Sequence, residues 1–366
     1  MTTQVRLRRR LISSISAAAV VAGTALGSLA VAPSASAAPS ATAGLYGSAD
    51  PTYDGVFRQS LALMGLTAVG ATPASQAITW LLNEQCANGG FQAYRADLGK
   101  ACDPADPVSF TGPDTNSTAV AVMALMSLLS MDTPSALPTA QRGRVVKAAV
   151  HAVTWLADQQ NPDGGWGFTS HGASDANSTG LSLAALLTQA RNDTFPAFVK
   201  GSRFLGRQSF PCSAGGGLAY QPGGPVNASA TAQGLTGLAG PMPVDGPRRL
   251  SAGAPCANTA KAKSASFLAA TLARTGTLPS PLGTDPDYSN TAAAVLGLVG
   301  AGQGRAAVAK ATAALKAAAP AYSTHSGGPD AGALGLLLMV AEATGSSPTS
   351  FGGVNLVSSL AGSIRK

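Results

Sequence analysis

Hydrophobic positions along the chain fall into two alternating kinds of segment. Stretches such as 118–129 are apolar nearly all round, as expected of a helix buried on every side. Between them lie stretches such as 144–159, where polar residues are interleaved with apolar ones at helical spacing, as in a half-exposed helix. The pattern predicts buried helices near 55–69, 115–130, 176–190, 228–240, 288–301 and 331–344. It predicts half-exposed partners near 73–86, 142–159, 197–208, 259–275, 304–318 and 351–363. β-Branched residues rarely alternate over more than a few positions, so strand signals are sparse. The longest interruption, 241–261, is expected to be a loop excursion within the domain.

Two phrases recur at the joints. The first is Trp80-Leu81, Gln85, Gly89-Gly90-Phe91, repeated as Trp155-Leu156, Gln160, Gly164-Gly165-Trp166. A third copy is Phe204-Leu205, Gln208, Gly216-Gly217, with Tyr220 close by. The second phrase is Asp114-Thr115-Asn116-Ser117-Thr118, repeated as Asp175-Ala176-Asn177-Ser178-Thr179. Weaker copies start at Asn227 and Asp287, and a degenerate fifth at Asp330. The steps are 61, 52, 60 and 43 residues, so the units share a core and differ in their loops. An Asp heading a helix accepts hydrogen bonds from the free N–H groups of the first turn, and its charge suits the positive helix end. Six alternating pairs imply an all-α chain, an (α/α)6 toroid of six inner and six outer helices. It is read as one domain over 45–366, preceded by a flexible mature N-terminus at 38–44.

Composition narrows the setting. Hydrophobic residues are 45% and charged residues 11% of the chain, enough for a core and too apolar for wholesale disorder. Arg6, Arg8, Arg9 and Arg10 precede an apolar stretch, 17–31, and a small-residue site at Ala35-Ser36-Ala37. That order predicts a signal peptide over 1–37 and an extracellular, secreted product. Loss of those arginines lowers the net charge from +7 to +3. No basic stripe remains, so no nucleic-acid partner is expected. No later segment carries 18 uninterrupted apolar residues, so no transmembrane anchor is expected after cleavage, and the mature chain is read as a monomer. Export favours disulfides, and of the three possible pairings Cys86–Cys102 with Cys212–Cys256 is expected, since each pair closes a loop-rich segment. No cofactor or metal is predicted, because no Cys-x-x-Cys occurs and His151, His171 and His325 lie far apart. The Ala- and Gly-rich composition looks bacterial, so the Asn-x-Ser/Thr triplets at Asn116, Asn177, Asn192 and Asn227 are not expected to carry glycans.

The first phrase resembles the QW repeat of the terpenoid cyclase and protein prenyltransferase superfamily, the prenyltransferase and squalene oxidase repeat. Trp155 to Trp166 is the closer match, and Trp80 to Phe91 has Phe in place of the final Trp. The second phrase is similar to helix starts in secreted toroid proteins, including corrinoid carriers of the transcobalamin and intrinsic-factor type. The resemblance covers about 45 to the C-terminus and implies a toroid with a central cavity. It does not bring the enzymes' chemistry with it. The Asp-x-Asp-Asp acid is missing, since Ser174-Asp175-Ala176-Asn177 and Asp285-Pro286-Asp287-Tyr288 do not carry it. Asp103-Pro104-Ala105-Asp106 is a poor copy of a magnesium-diphosphate motif, and no Asp/Cys/His zinc cluster is found. The expectation is therefore a secreted, non-catalytic toroid that binds a small or extended ligand, with isoprenoid, corrinoid and glycan not distinguished. The alternatives are a divergent terpenoid-cyclase or prenyltransferase-like enzyme, and an extracellular structural or interaction protein with a filled cavity.

Candidate ligand contacts follow from the geometry of such a ring, whose inner helices would bring their N-termini to one mouth. They are Asp114, Asn116, Asp175, Asn177, Asn227, Ser229, Asp287, Tyr288 and Ser289, with Trp166 in a loop leading to the mouth. Phe168, Tyr220 and Tyr322 lie in similar loops, and His171 is the best acid/base candidate available. No catalytic residue is assigned.

Overall fold

A computed structural model describes residues 41–130, 137–189, 192–240, 242, 245–281, 283 and 285–366. The expected signal peptide and residues 38–40 lie outside the described residues. Among the described residues the chain is predominantly helical. Twelve helices follow in order: α1 (Gly55–Ala68), α2 (Ser75–Asn83), α3 (Thr115–Leu129), α4 (Thr139–Asp158), α5 (Ala176–Gln189), α6 (Phe195–Gln208), α7 (Ala228–Ala239), α8 (Ala260–Thr275), α9 (Tyr288–Ala301), α10 (Arg305–Tyr322), α11 (Ala331–Thr344) and α12 (Leu356–Ala361). Each overlaps its sequence expectation, although α12 is shorter than the 351–363 expected, because 351–354 form a turn closed by Phe351 and Val354. The periodicity was legible because packing partner and helix face repeat in every unit.

The odd-numbered helices are the buried ones. α3 buries 12 of 15 residues and α11 12 of 14, whereas the even-numbered α6 buries 4 of 14. α1 packs against α3, α3 against α5, α5 against α7, α7 against α9, α9 against α11, and α11 against α1. Each even-numbered helix packs on its odd-numbered predecessor in the chain. Two of the odd-helix contacts are made through glycine. A Cβ on Gly65 of α1 would lie 2.5 Å from the Gly335 carbonyl oxygen of α11, and one on Gly180 of α5 would collide with the Gln233 carbonyl of α7. Backbone meets backbone there, which a larger residue would prevent. The two ends of the described body are tied together. Gly44 N–H donates to the Arg365 carbonyl at 2.9 Å, and Arg365 N–H to that of Leu45 at 2.8 Å.

Three short antiparallel pairs join the layers and were not foreseen from the sequence. They are β1 (Leu218–Ala219) with β2 (Val226–Asn227), β3 (Leu278–Pro279) with β4 (Pro286–Asp287), and β5 (Thr324–His325) with β6 (Gly328–Pro329). Two-residue strands carry no alternation to detect. Two of the pairs are placed by the Thr of the second phrase; at the third, β5–β6, the equivalent position is Leu334. The hydroxyls of Thr118, Thr179, Thr231 and Thr291 accept from the N–H groups of Phe91, Trp166, Leu218 and Leu278 at 2.8–3.0 Å. α3, α5, α7 and α9 thereby hold the chain that leaves α2, α4, α6 and α8. The Gln of the first phrase works similarly: Gln85 donates to Gly89 and Ala148 carbonyls, and Gln160 to those of Gly164 and Ala197, all at 2.8–2.9 Å.

Both expected disulfides are present, Cys86–Cys102 and Cys212–Cys256. They are consistent with an extracellular protein. No described helix is long and apolar enough to cross a membrane. The described part of the 241–261 loop carries no helix before α8. It is pinned to α10 by the Arg305 guanidinium, which donates to the Leu250 carbonyl at 2.8 Å.

Candidate functional site

The heads of α3 and α5 are built alike. Asp114 accepts from Ser117 N–H at 2.7 Å, and Asp175 from Ser178 N–H at 2.7 Å. A second Asp175 oxygen accepts from the Ser178 hydroxyl at 2.9 Å. Asp114 and Asp175 are only 3% and 2% exposed. Burial pushes both carboxyls up to about 6, against the opposing pull of the hydrogen bonds from Ser117 and Ser178 and from the Asn116 and Asn177 N–H groups. The first free N–H of each helix is used differently. Thr115 N–H donates to the Phe168 carbonyl and Ala176 N–H to the Tyr220 carbonyl, both at 2.8 Å. An orphan helix donor thus pins an aromatic loop from the next repeat over each helix head.

These two heads open on one cleft of about 950 Å³. Asp114, Asn116, Asp175, Asn177 and Ser178 line it, together with Tyr53, Tyr94, Phe110, Phe168 and Tyr220. The Oδ1 atoms of Asn116 and Asn177 are buried and accept no hydrogen bond from the described residues. Among the described residues, four of the large exposed aromatics, Tyr53, Phe110, Phe168 and Tyr220, rim this cleft, and Phe195 lies elsewhere. Phe110 is 68% exposed and holds φ at 54°, in the left-handed region that bulky residues avoid. Its ring meets that of Phe168 at 5.8 Å between centroids.

The cleft wall is the chain between Phe91 and Asp114. Cys86–Cys102 ties it to the end of α2. Arg95 N–H donates to Glu84 at 2.6 Å, and the Arg95 guanidinium donates to the Asn83 and Lys100 carbonyls at 2.9 and 2.6 Å. Glu84 is fully buried, and its other oxygen has no hydrogen-bond partner among the described residues. Burial pushes its carboxyl up to about 8, although the Arg95 N–H and guanidinium pull it down.

Of the ten candidate contacts, the structure brings Asp114, Asn116, Asp175 and Asn177 to this cleft. Trp166 is fully buried, and its indole N–H donates to the Leu156 carbonyl at 2.7 Å, a packing role between repeats. Asn227 and Asp287 cap α7 and α9 by accepting from Ala230 and Asn290 N–H at 2.8 and 2.9 Å. Ser229 is buried at the start of α7. Tyr288 packs on Tyr322, with ring centroids 5.5 Å apart, and the Ser289 hydroxyl meets that of Tyr322 at 2.9 Å. None of these six candidates lines the cleft. His171 also lies outside it, at a left-handed φ of 62°. Among the described residues no cluster of three or more His, Cys, Asp or Glu side chains is placed to hold a metal ion. Sequence reasoning missed Tyr53, Tyr94 and Phe110. A signal was present: the Phe91–Asp114 gap is far longer than the equivalent Trp166–Asp175 gap and holds a cysteine.

No family model and no curated protein matches the chain. Solved structures do match, among them a crystal structure of a protein from Actinoplanes. It is 16% identical, with 74% of this chain and 82% of that one covered, at a TM-score of 0.32. That likeness is too low to carry an argument on fold or function.

Proposed function

We propose that the chain is an exported (α/α)6 toroid that binds a ligand, without catalysis, in the cleft at the heads of α3 and α5. The odd-numbered helices support the toroid, because their contacts run from α1 through α11 and back to α1. The resemblance of Trp155 to Trp166 to a QW repeat agrees with it. The observation that carries ligand binding is the gathering of Tyr53, Phe110, Phe168 and Tyr220 around one cleft in a chain with only 5% aromatic residues. Clustered exposed apolar groups over a concave polar floor are the usual mark of a binding site. Asp114 and Asp175 accept hydrogen bonds from the first turns of their own helices, which favours a binding floor over acid catalysis.

Native mass spectrometry of the mature protein from its own culture supernatant tests this reading. A discrete extra mass, lost on denaturation and absent when Phe110 and Tyr220 are replaced, is the expected result. Identical masses before and after denaturation would shift the reading to a filled structural ring.

A further inference from the structure

We infer that the ligand of this cleft is a neutral oligosaccharide chain; the inference rests on the cleft being the binding site. Each lining group narrows the chemistry. Asn116 and Asn177 stand at equivalent positions of α3 and α5, and each points to an unmet need. Their amides line the cleft, and their Oδ1 atoms, turned away from it, lack donors among the described residues, so a rotation about the terminal side-chain bond that brings the oxygen to the cleft gives up no hydrogen bond at that atom. A buried acceptor left without a donor is costly, so the fitting ligand brings O–H or N–H groups. An isoprenoid has none to bring along its chain. A polyanion brings only more acceptors, and it would face Asp114 and Asp175 as well.

The nearby cations do not reverse that conclusion. The Arg95 guanidinium is used on the Asn83 and Lys100 main-chain carbonyls, and Lys100 lies 3.6 Å from Asp97. A compact cation is disfavoured by shape. At about 950 Å³ the cleft is far larger than such an ion, and Tyr53 and Phe110 stand open at its rim, 88% and 68% exposed, instead of closing round a point charge. Exposed aromatic rings at the rim above amide and carboxyl acceptors suit sugar rings. The C–H face of a pyranose lies flat on an aromatic ring while its hydroxyls donate to the floor.

Phe110 adds an independent argument. A bulky side chain held both exposed and in left-handed backbone is unfavourable twice over. Such strain persists where surrounding structure enforces it, and it clusters at ligand sites. Here the enforced conformation places a ring at the cleft rim beside Phe168.

The test is calorimetric titration of the full mature protein with cellohexaose, chitohexaose and maltohexaose. Farnesol, cyanocobalamin and polyphosphate serve as probes of the competing classes. At least one hexasaccharide is expected to bind. Its affinity should fall tenfold or more in Phe110→Gly and in Asn116→Leu/Asn177→Leu, with both variants still folded and unfolding cooperatively in urea. Phe195→Ala, an exposed aromatic outside the cleft, should bind as the parent does. Binding of a competing-class probe with the same variant sensitivity would overturn the sugar assignment and leave the cleft as the site. Hexasaccharide binding that is indifferent to the cleft variants would overturn the site itself. Binding of no probe would overturn the sugar assignment, and the native mass measurement then decides the cleft reading separately.

Discussion

Replacing Phe110 with Gly separates a residue kept for binding from one kept for folding. The left-handed φ of 54° costs a bulky residue about 1–2 kcal/mol, which glycine does not incur. Against that relief stand three losses. The ring is 68% exposed, so only about 0.5–1 kcal/mol of burial is forfeited. The contact with Phe168 contributes about 0.5–1 kcal/mol. Glycine's larger unfolded-state entropy costs about 0.5–1 kcal/mol. The net change is expected to be a loss of about 1 kcal/mol or less, a Tm shift of only about 2–4 °C in a chain of this size. Phe110→Ala loses the same ring and keeps most of the strain, so it should be about 1 kcal/mol less stable than the Gly variant. Urea unfolding under non-reducing conditions measures both, and the titrations above measure binding. A Gly variant destabilised by more than about 3 kcal/mol would show that Phe110 is a folding residue. Equal stability of the Gly and Ala variants would show that the backbone is unstrained, and either result would refute the reasoning.

Other perturbations follow from the same geometry. Glu84 has its carboxyl raised to about 8 in the folded chain, so its contribution to stability is full in acid and is lost as pH rises from about 4.5 through 8. Glu84→Gln should therefore match the parent in urea at pH 5 and exceed it at pH 9 by as much as roughly 4 kcal/mol, and the opposite order would contradict the assignment. Replacing Cys212 and Cys256 by Ala opens a 44-residue loop and should cost about 4 kcal/mol, against about 3 kcal/mol for the 16-residue loop of Cys86–Cys102. Only the second pair braces the cleft wall, so only its loss should weaken binding in titration. Gly335→Ala drives a Cβ into the Leu61 backbone of α1 and should cost about 2 kcal/mol or more by thermal unfolding. Gly143→Ala, which meets nothing within 4 Å on α4, should stabilise by about 0.5–1 kcal/mol.

The helices and their two classes were legible in the amino-acid sequence. Burial on all sides demands an all-apolar segment such as α3, and burial on one side a mixed one such as α4, and both are local properties of composition and period. Helix starts were legible for the same reason, since an Asp three residues ahead of the N–H it accepts is a short-range contact, as at Asp114 and Asp175. The two disulfide pairs followed from their loop-rich spacing. The roles of Thr118 and Thr179 were not legible, because each holds a segment from the preceding joint through a hydroxyl with no pattern to mark it. Nor was the division of the cap residues. Asp287 and Asp175 look alike in sequence, yet only the second lines the cleft. Tertiary structure alone decided that, because a cleft exists where loops of different repeats happen to leave room. The Phe91–Asp114 excursion, the Phe168 loop and the Tyr220 loop converge on α3 and α5 through backbone hydrogen bonds that any residue can make. Side-chain identity therefore determined the helices and their caps, while the site was determined by which main-chain donors each loop found.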